Sequence, residues 1–187
     1  WNPDHPARVG LLPRDGTAND IVWCVAPQCY VFHSVNAYDA DDGTVLVDLC
    51  RYDRMFDGDR NGPIGDSSPT IVRWVVDPAT ATVAETPIAD GHHEFPTCDP
   101  RVGAGRHRYA YTADGLELGP THRVDVETGD TVTHDHGEGR FGAEPLLVPK
   151  DGSTDEGVGW VLVCVNDRGG GPAELVVLDG EDLAAEP

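Results

Sequence analysis

Apolar and polar positions alternate along most of this chain. The runs "DIVWCV", "YVFHSVNAY", "TVLVDLCRY", "TIVRWVVD", "RHRYAYTA", "HRVDVET", "DTVTHD", "EPLLVP", "GWVLVCVND" and "ELVVLD" are short and rich in β-branched and aromatic residues. A period near two predicts strands, because successive side chains of a strand point to opposite faces. Helical spacing of apolar residues is nearly absent. Gly, Pro and Asp clusters interrupt the runs roughly every 8 to 12 residues, the rhythm of an all-β sandwich, barrel or propeller. "DDGT" at Asp41–Thr44 predicts a tight hairpin turn.

A weak repeat chooses among these architectures. "RWVVDPATATV" around Asp77, "HRVDVETGDTV" around Asp125 and "LVVLDGEDL" around Asp179 share a strand that ends in Asp and runs into a turn. The first two aspartates are 48 residues apart and the second two 54. Periods of roughly 40 to 50 residues with several strands each fit propeller blades. The 187 residues therefore hold about three to four blades. Closed rings take about four to eight. The expected fold is all-β, a partial β-propeller.

Composition narrows the function. The net charge is −20, from 33 acidic and 13 basic residues. That balance argues against nucleic acid and against anionic lipid as partners. No apolar run is long enough to form a membrane-spanning helix. The first residues, "WNPDHPARVG", do not read as a signal peptide. Five cysteines, Cys24, Cys29, Cys50, Cys98 and Cys164, include no CxxC pair. Several lie in apolar strand runs. Buried free thiols in a reducing, cytoplasmic setting are expected.

The candidate chemistry starts at His33. Strict alternation places Val31, His33, Val35 and Ala37 on one face of a strand. An imidazole among small apolar neighbours is driven neutral and needs a hydrogen-bond partner or a metal. Both readings, core histidine and ligand, stand at this point. His92 and His93 are adjacent, so a strand would send them to opposite faces; they read as a solvated turn pair. His134 and His136 share a strand face, but the glycine-rich "HGEGR" beside them reads as a solvent-facing loop. Glu94, before Phe95 and Pro96, and Glu144, before Pro145, are expected to be buried carboxylates in need of donors. "DGDRNG" (Asp57–Gly62) copies the front of a calcium loop, but its twelfth position is Ser68, not Glu. No G-x-S-x-G, phosphate loop or dinucleotide fingerprint occurs.

Six stretches taken together resemble the carotenoid cleavage oxygenase family. They are "ARVGLLPRDG", "YVFHSVNAYD" with "VLVDLCRYD", "RWVVDP", "HEFPTCDPRVGAGRHRYAYT", "HDHGEGRFGAEPLLVP" and "DEGVGWVLVCVNDRGGGPAELVVLDGEDL", in the family's order. The resemblance implies a seven-bladed propeller with iron(II), Fe(2+), on its axis, held by four histidines. It implies that three glutamates accept hydrogen bonds from ligand imidazoles. His33 resembles the third ligand, and Glu94 and Glu144 resemble two of the glutamates. The other three ligands and the first glutamate fall outside residues 1–187. His5, His92, His93, His107, His122, His134 and His136 match no ligand motif.

The implied reaction is oxidative cleavage of a carbon–carbon double bond by O2, on an apolar polyene or stilbene, giving two carbonyl products. The chain is then an incomplete oxygenase domain, inactive in isolation. Peripheral membrane contact of a complete protein is compatible with such a substrate. Two rivals remain. One is an inactive or isomerase-like relative that only binds an apolar ligand. The other is an unrelated propeller serving as an interaction scaffold, which predicts a surface-exposed His33.

Overall fold

The computed structural model describes residues 1–61 and 67–185. The "DGDRNG" motif and the loop after it therefore lie partly outside the described residues. The alternating runs form strands β1 (Ala7–Leu11), β2 (Val22–Ala26), β3 (Tyr30–Asp39), β4 (Val45–Tyr52), β5 (Thr70–Asp77), β6 (Thr82–Ala89) and β7 (His93–Cys98). They continue with β8 (Tyr109–Asp114), β9 (Thr121–Asp125), β10 (Thr131–His134), β11 (Arg140–Gly142), β12 (Leu146–Pro149), β13 (Gly159–Asp167) and β14 (Glu174–Asp179). Helix among the described residues is confined to two 3-10 turns, Ala18–Asp20 and Pro100–Val102. None is long and apolar enough to cross a membrane.

The strands make three successive sheets, as expected for part of a propeller. The first runs β1-β2-β6-β5-β4-β3 and the second β10-β9-β8-β7. In the third, β13 pairs with β11 and β12 and also with β14. Within β3–β6 and β7–β10 each strand pairs antiparallel with the next, so each set is a four-stranded meander. The β1–β2 hairpin joins the outer edge of the first meander through a single parallel pair, Val25 with Thr82.

The aspartate repeat has a local physical cause. Asp77 accepts from the Ala79 amide at 2.8 Å and Asp125 from the Glu127 amide at 2.9 Å. Asp179 accepts from the Glu181 amide at 2.8 Å. In each case a carboxylate at the strand's end bonds the backbone two residues on and starts the turn. "DDGT" works in the same way: Thr44 N–H donates to Asp42 at 3.0 Å, and Gly43 takes a φ of +87°.

Apolar faces between the sheets form the core. Val35, Cys50, Ile71, Ala110 and Val124 pack together across the first and second sheets. Tyr111, Leu147, Val161, Val163 and Leu178 do so across the second and third. Cys24, Leu49, Val72, Trp74 and Val76 lie on the other face of the first sheet, beneath the β1–β2 hairpin. The free face of the third sheet is different. Leu146, Val148, Trp160, Leu175 and Val177 are exposed there. Cys164, expected to be buried, is exposed too, because it alternates with the buried Val163 and Val165. Cys24 and Cys50 are buried, and Cys29 and Cys98 partly so.

The topology decides where the candidate site falls. β3 and β7 are edge strands of their sheets, and they pack against each other. β12 packs against β7 from the other side. His33 lies on β3, Glu94 on β7, and Glu144 just before β12. The residues singled out in the sequence thus sit on three neighbouring inner edges.

Candidate metal centre

β3 does not keep the strict alternation expected of it. Val31 pairs with Arg51, Ser34 with Leu49 and Asn36 with Asp48, so the register shifts twice within six residues. These are β-bulges, which bend a strand and re-aim its side chains. Val31 consequently packs with the Leu49 and Trp74 core, while Val35 belongs to the core containing Cys50. His33 lies between the two shifts and shares neither environment. Its side chain is 43% exposed, whereas alternation alone would have it among small apolar residues.

β7 carries a matching irregularity. Glu94 pairs with Ala113 and Thr97 with Tyr111, leaving Phe95 and Pro96 opposite a single residue. Phe95 adopts φ +50°, which is uncommon for a residue with a side chain. Pro96 has no amide proton, so the bulge costs the ladder no donor there. The bend turns the Phe95 amide back onto its neighbour: N–H donates to Glu94 Oε2 at 2.7 Å.

The two irregular strands meet at one contact. His33 Nδ1 lies 2.5 Å from Glu94 Oε2. The Glu94 carboxyl group is fully buried. A carboxylate accepts only, so Nδ1 carries the proton and Nε2 keeps its lone pair. The rings of Phe95 and His33 lie 5.1 Å apart, and Phe32, Tyr30 and Phe56 form an aromatic group beyond them. The arrangement suits a metal ligand. The acceptor fixes the tautomer and ring orientation, and the ring that carries the bare nitrogen is partly open to solvent.

Glu144 departs from expectation. It is exposed, and among the described residues no hydrogen bond or ion pair reaches its side chain. The backbone beside it is nevertheless tied to β7, since the Thr97 hydroxyl donates to the Pro145 carbonyl at 2.7 Å. Proline follows Glu144 and is itself buried, so the turn seats the ring and leaves the carboxylate outside.

Five of the other seven histidines, His93, His107, His122, His134 and His136, have hydrogen-bond partners of their own. His92 is exposed as expected, but His93 is buried, with Nδ1 2.9 Å from the Thr112 hydroxyl. The solvated pair is thus half corrected, because β7 starts at His93 and turns that ring inward. The rings of His134 and His136 lie 4.8 Å apart, yet each is bonded elsewhere, to the Leu183 carbonyl and to the Thr121 hydroxyl. No group of three or more His, Cys, Asp or Glu side chains that could hold a metal occurs among the described residues. His33 therefore stands as a single candidate ligand, bonded to one carboxylate.

Sequence reading missed a buried polar network behind β3. Asn36 Nδ2 donates to the Gly105 carbonyl at 2.9 Å, and its Oδ1 accepts from the Ala104 amide at 3.0 Å. Nδ2 also lies 3.2 Å from His107 Nδ1. Asp48 takes two bonds of 2.7 Å from Arg73, and His107 Nε2 is 3.2 Å away but poorly aligned. Burial alone would raise the Asp48 carboxyl, but the bonds from Arg73 and the nearby His107 ring outweigh it and hold it below the usual range. The network ties the His33 strand to the loop before β8. One signal was visible: an aspartate inside the apolar run "VLVDLC" has to be paired if it is buried.

Comparison with known proteins identifies the family to which this chain belongs. The profile of the retinal pigment epithelial membrane protein family covers residues 1–187. The chain belongs to that family, the carotenoid cleavage oxygenases. It is 36% identical to a carotenoid cleavage oxygenase of Mycobacterium tuberculosis, over 98% of this chain and 39% of that protein. It is 30% identical to an isoeugenol monooxygenase of Pseudomonas putida, over 100% of this chain and 43% of the relative. The cobalt-substituted Synechocystis apocarotenoid oxygenase superposes with a TM-score of 0.87 at 29% identity, over 100% of this chain and 41% of that one. The chain thus spans about two fifths of the length of these relatives. Family membership removes the unrelated scaffold, although the exposed His33 ring is what that reading required.

Proposed function

We propose that this chain is part of a non-haem iron(II) dioxygenase. The complete protein would cleave a carbon–carbon double bond of a carotenoid, apocarotenoid or stilbene to two carbonyl products. One alkene and one O2 account for both products, so no external reductant is required. The observation that carries the reading is the 2.5 Å contact between His33 Nδ1 and the buried Glu94 carboxylate, which leaves Nε2 free. Relatives named for cleavage or oxygenation of carotenoids, apocarotenoids, isoeugenol and resveratrol support the substrate class. The cobalt-substituted relative supports an exchangeable metal in this fold.

His33 and Glu94 would make one corner of a four-histidine site on the axis of a seven-bladed ring. His33 would hold iron through Nε2. Glu94 would keep that ring in its tautomer and offset part of the metal's charge. Iron(II), when bound, supplies the activation of dioxygen. Phe95 and Phe32 would give an alkene an apolar wall beside His33. Glu144 would serve a ligand from another part of the protein. Five free cysteines support a cytoplasmic setting. Peripheral membrane contact belongs to the same reading, since polyenes dissolve in lipid.

The test is product analysis. The complete protein, loaded with ferrous iron and given O2 with an apocarotenoid or a stilbene, is expected to release two carbonyl fragments by mass spectrometry. Residues 1–187 alone are expected to retain no iron after desalting, because one imidazole cannot hold it. Iron-loaded protein that binds the alkene and yields no carbonyl would sink the oxygenase reading and select the ligand-binding one.

A further inference from the structure

Glu94 has two carboxylate oxygens, and only one is accounted for. Oε2 takes both the His33 and the Phe95 N–H groups. Oε1 is buried and has no partner of acceptable geometry. A buried, unpaired acceptor is costly, and native structures contain few. The same part of the molecule holds a second orphan. The Tyr52 hydroxyl is buried without a partner, on a residue only 1% exposed. One orphan is an acceptor and the other a donor.

Strand geometry brings them toward each other. β4 places Cys50 and Tyr52 on one face, two residues apart. Cys50 faces the core between the first and second sheets, and β4 packs against β7. Both side chains feel the carboxylate. Burial and then the Glu94 charge push up the Cys50 thiol. Burial, then the Glu94 charge and its hydrogen bonding, push the Tyr52 hydroxyl well above the usual tyrosine range. The Tyr52 ring is set edge-on to Phe32, centroids 5.5 Å apart, next to His33 in sequence. Its other side lines a cavity of about 350 Å³ with Met55, Pro69 and Asp114.

We infer that Tyr52 is a positioning residue for the metal centre, its hydroxyl donating to Glu94 Oε1 while Oε2 holds His33. The inference rests on the reading of His33 as a ligand. Tyr52 touches neither metal nor substrate; it acts through the carboxylate. With Oε1 anchored, the carboxyl group cannot rotate away from the imidazole.

The experiment uses the complete iron-loaded protein and follows loss of ferrous ion to a chelator. Direct partners of ligands typically cost about 10- to 100-fold in metal affinity when changed. One step further out, Tyr52→Phe is expected to speed iron loss about 3- to 10-fold. The ring is kept, so the metal-free protein should still fold and unfold cooperatively, melting somewhat lower because Oε1 has lost its donor. In a Glu94→Gln background, Tyr52→Phe is expected to add less than about 2-fold, because the two act as a unit. Unchanged iron loss in Tyr52→Phe, or full additivity with Glu94→Gln, overturns the proposal. If His33→Ala keeps its iron, the ligand reading fails and takes this one with it. If His33→Ala loses iron while Tyr52→Phe does not, only the role of Tyr52 fails.

Discussion

His33 on β3 and Glu94 on β7 are 61 residues apart in sequence, yet Nδ1 and Oε2 lie 2.5 Å from one another. Each reaches the contact because its strand is bulged there. A regular β3 would carry His33 into an apolar face, and a regular β7 would have no free amide at Phe95 to brace the carboxylate. His33→Ala in the complete protein is therefore expected to abolish iron loading. Glu94→Gln should weaken loading by roughly 10- to 100-fold. Metal analysis of the purified variants decides. Wild-type iron content in both would remove the site from β3 and β7.

Glu144 calls for a different experiment. It is exposed and unpartnered among the described residues, so nothing within them depends on its charge. Glu144→Gln is expected to leave the unfolding free energy of residues 1–187 within about 0.5 kcal/mol of the parent, the usual range for a surface change. In the complete protein the same change should reduce iron retention roughly 10-fold or more. Equal, small effects in both settings would mean that Glu144 is a plain surface residue.

The parts of this fold legible in sequence were those with local causes. The turns at Asp77, Asp125 and Asp179 form because an aspartate bonds the backbone two residues on, and that pattern repeats visibly along the chain. His33 was harder. Periodicity put it on the wrong face, because a bulge is a property of two paired strands and leaves no mark on the period of one. Its partner Glu94 came from motif resemblance, not from alternation. Burial of Glu144 was misjudged because the neighbouring apolar run "LLV" buries only Leu147. The Asn36–His107–Asp48–Arg73 network was half visible. Asp48 announced a need for a partner, but its partners lie 25 and 59 positions away, on β5 and in the loop before β8.

That network should control stability at the base of the site. Asp48 is buried, and Arg73 meets it through two hydrogen bonds. Removing one member leaves the other charge uncompensated, which typically costs about 3 to 5 kcal/mol. Asp48→Asn is expected to destabilise the protein by about 3 kcal/mol at pH 7, measured by urea unfolding. The folded carboxyl titrates below its unfolded value of about 3.9. Its contribution is thus complete above that value and disappears as pH falls through the folded one. The gap between parent and variant should close below about pH 4. A gap that persists there would assign the loss to packing and not to the ion pair.

His93 sets a second, higher acid limb. Its ring is buried against the Thr112 hydroxyl and the Asp90 carbonyl, and it faces His122, Asp114 and His92. Burial chiefly, and then His122, push its pKa down to about 4. The unfolded chain titrates near 6.5, so between those values it binds the proton that the folded protein refuses. Stability should therefore be complete above about pH 6.5 and fall toward pH 4, by up to about 1.4 kcal/mol per pH unit for this one group. His136 is lowered in the same direction, by burial and by His134, and adds to the slope. His93→Gln removes the titrating ring while leaving a polar group within reach of Thr112. Its unfolding free energy is expected to be lower than the parent's at pH 7 and flatter between pH 6.5 and 4, so the two curves converge on acidification. Parallel curves would show that His93 takes up its proton alike in the folded and unfolded states, and would move the acid limb to other groups.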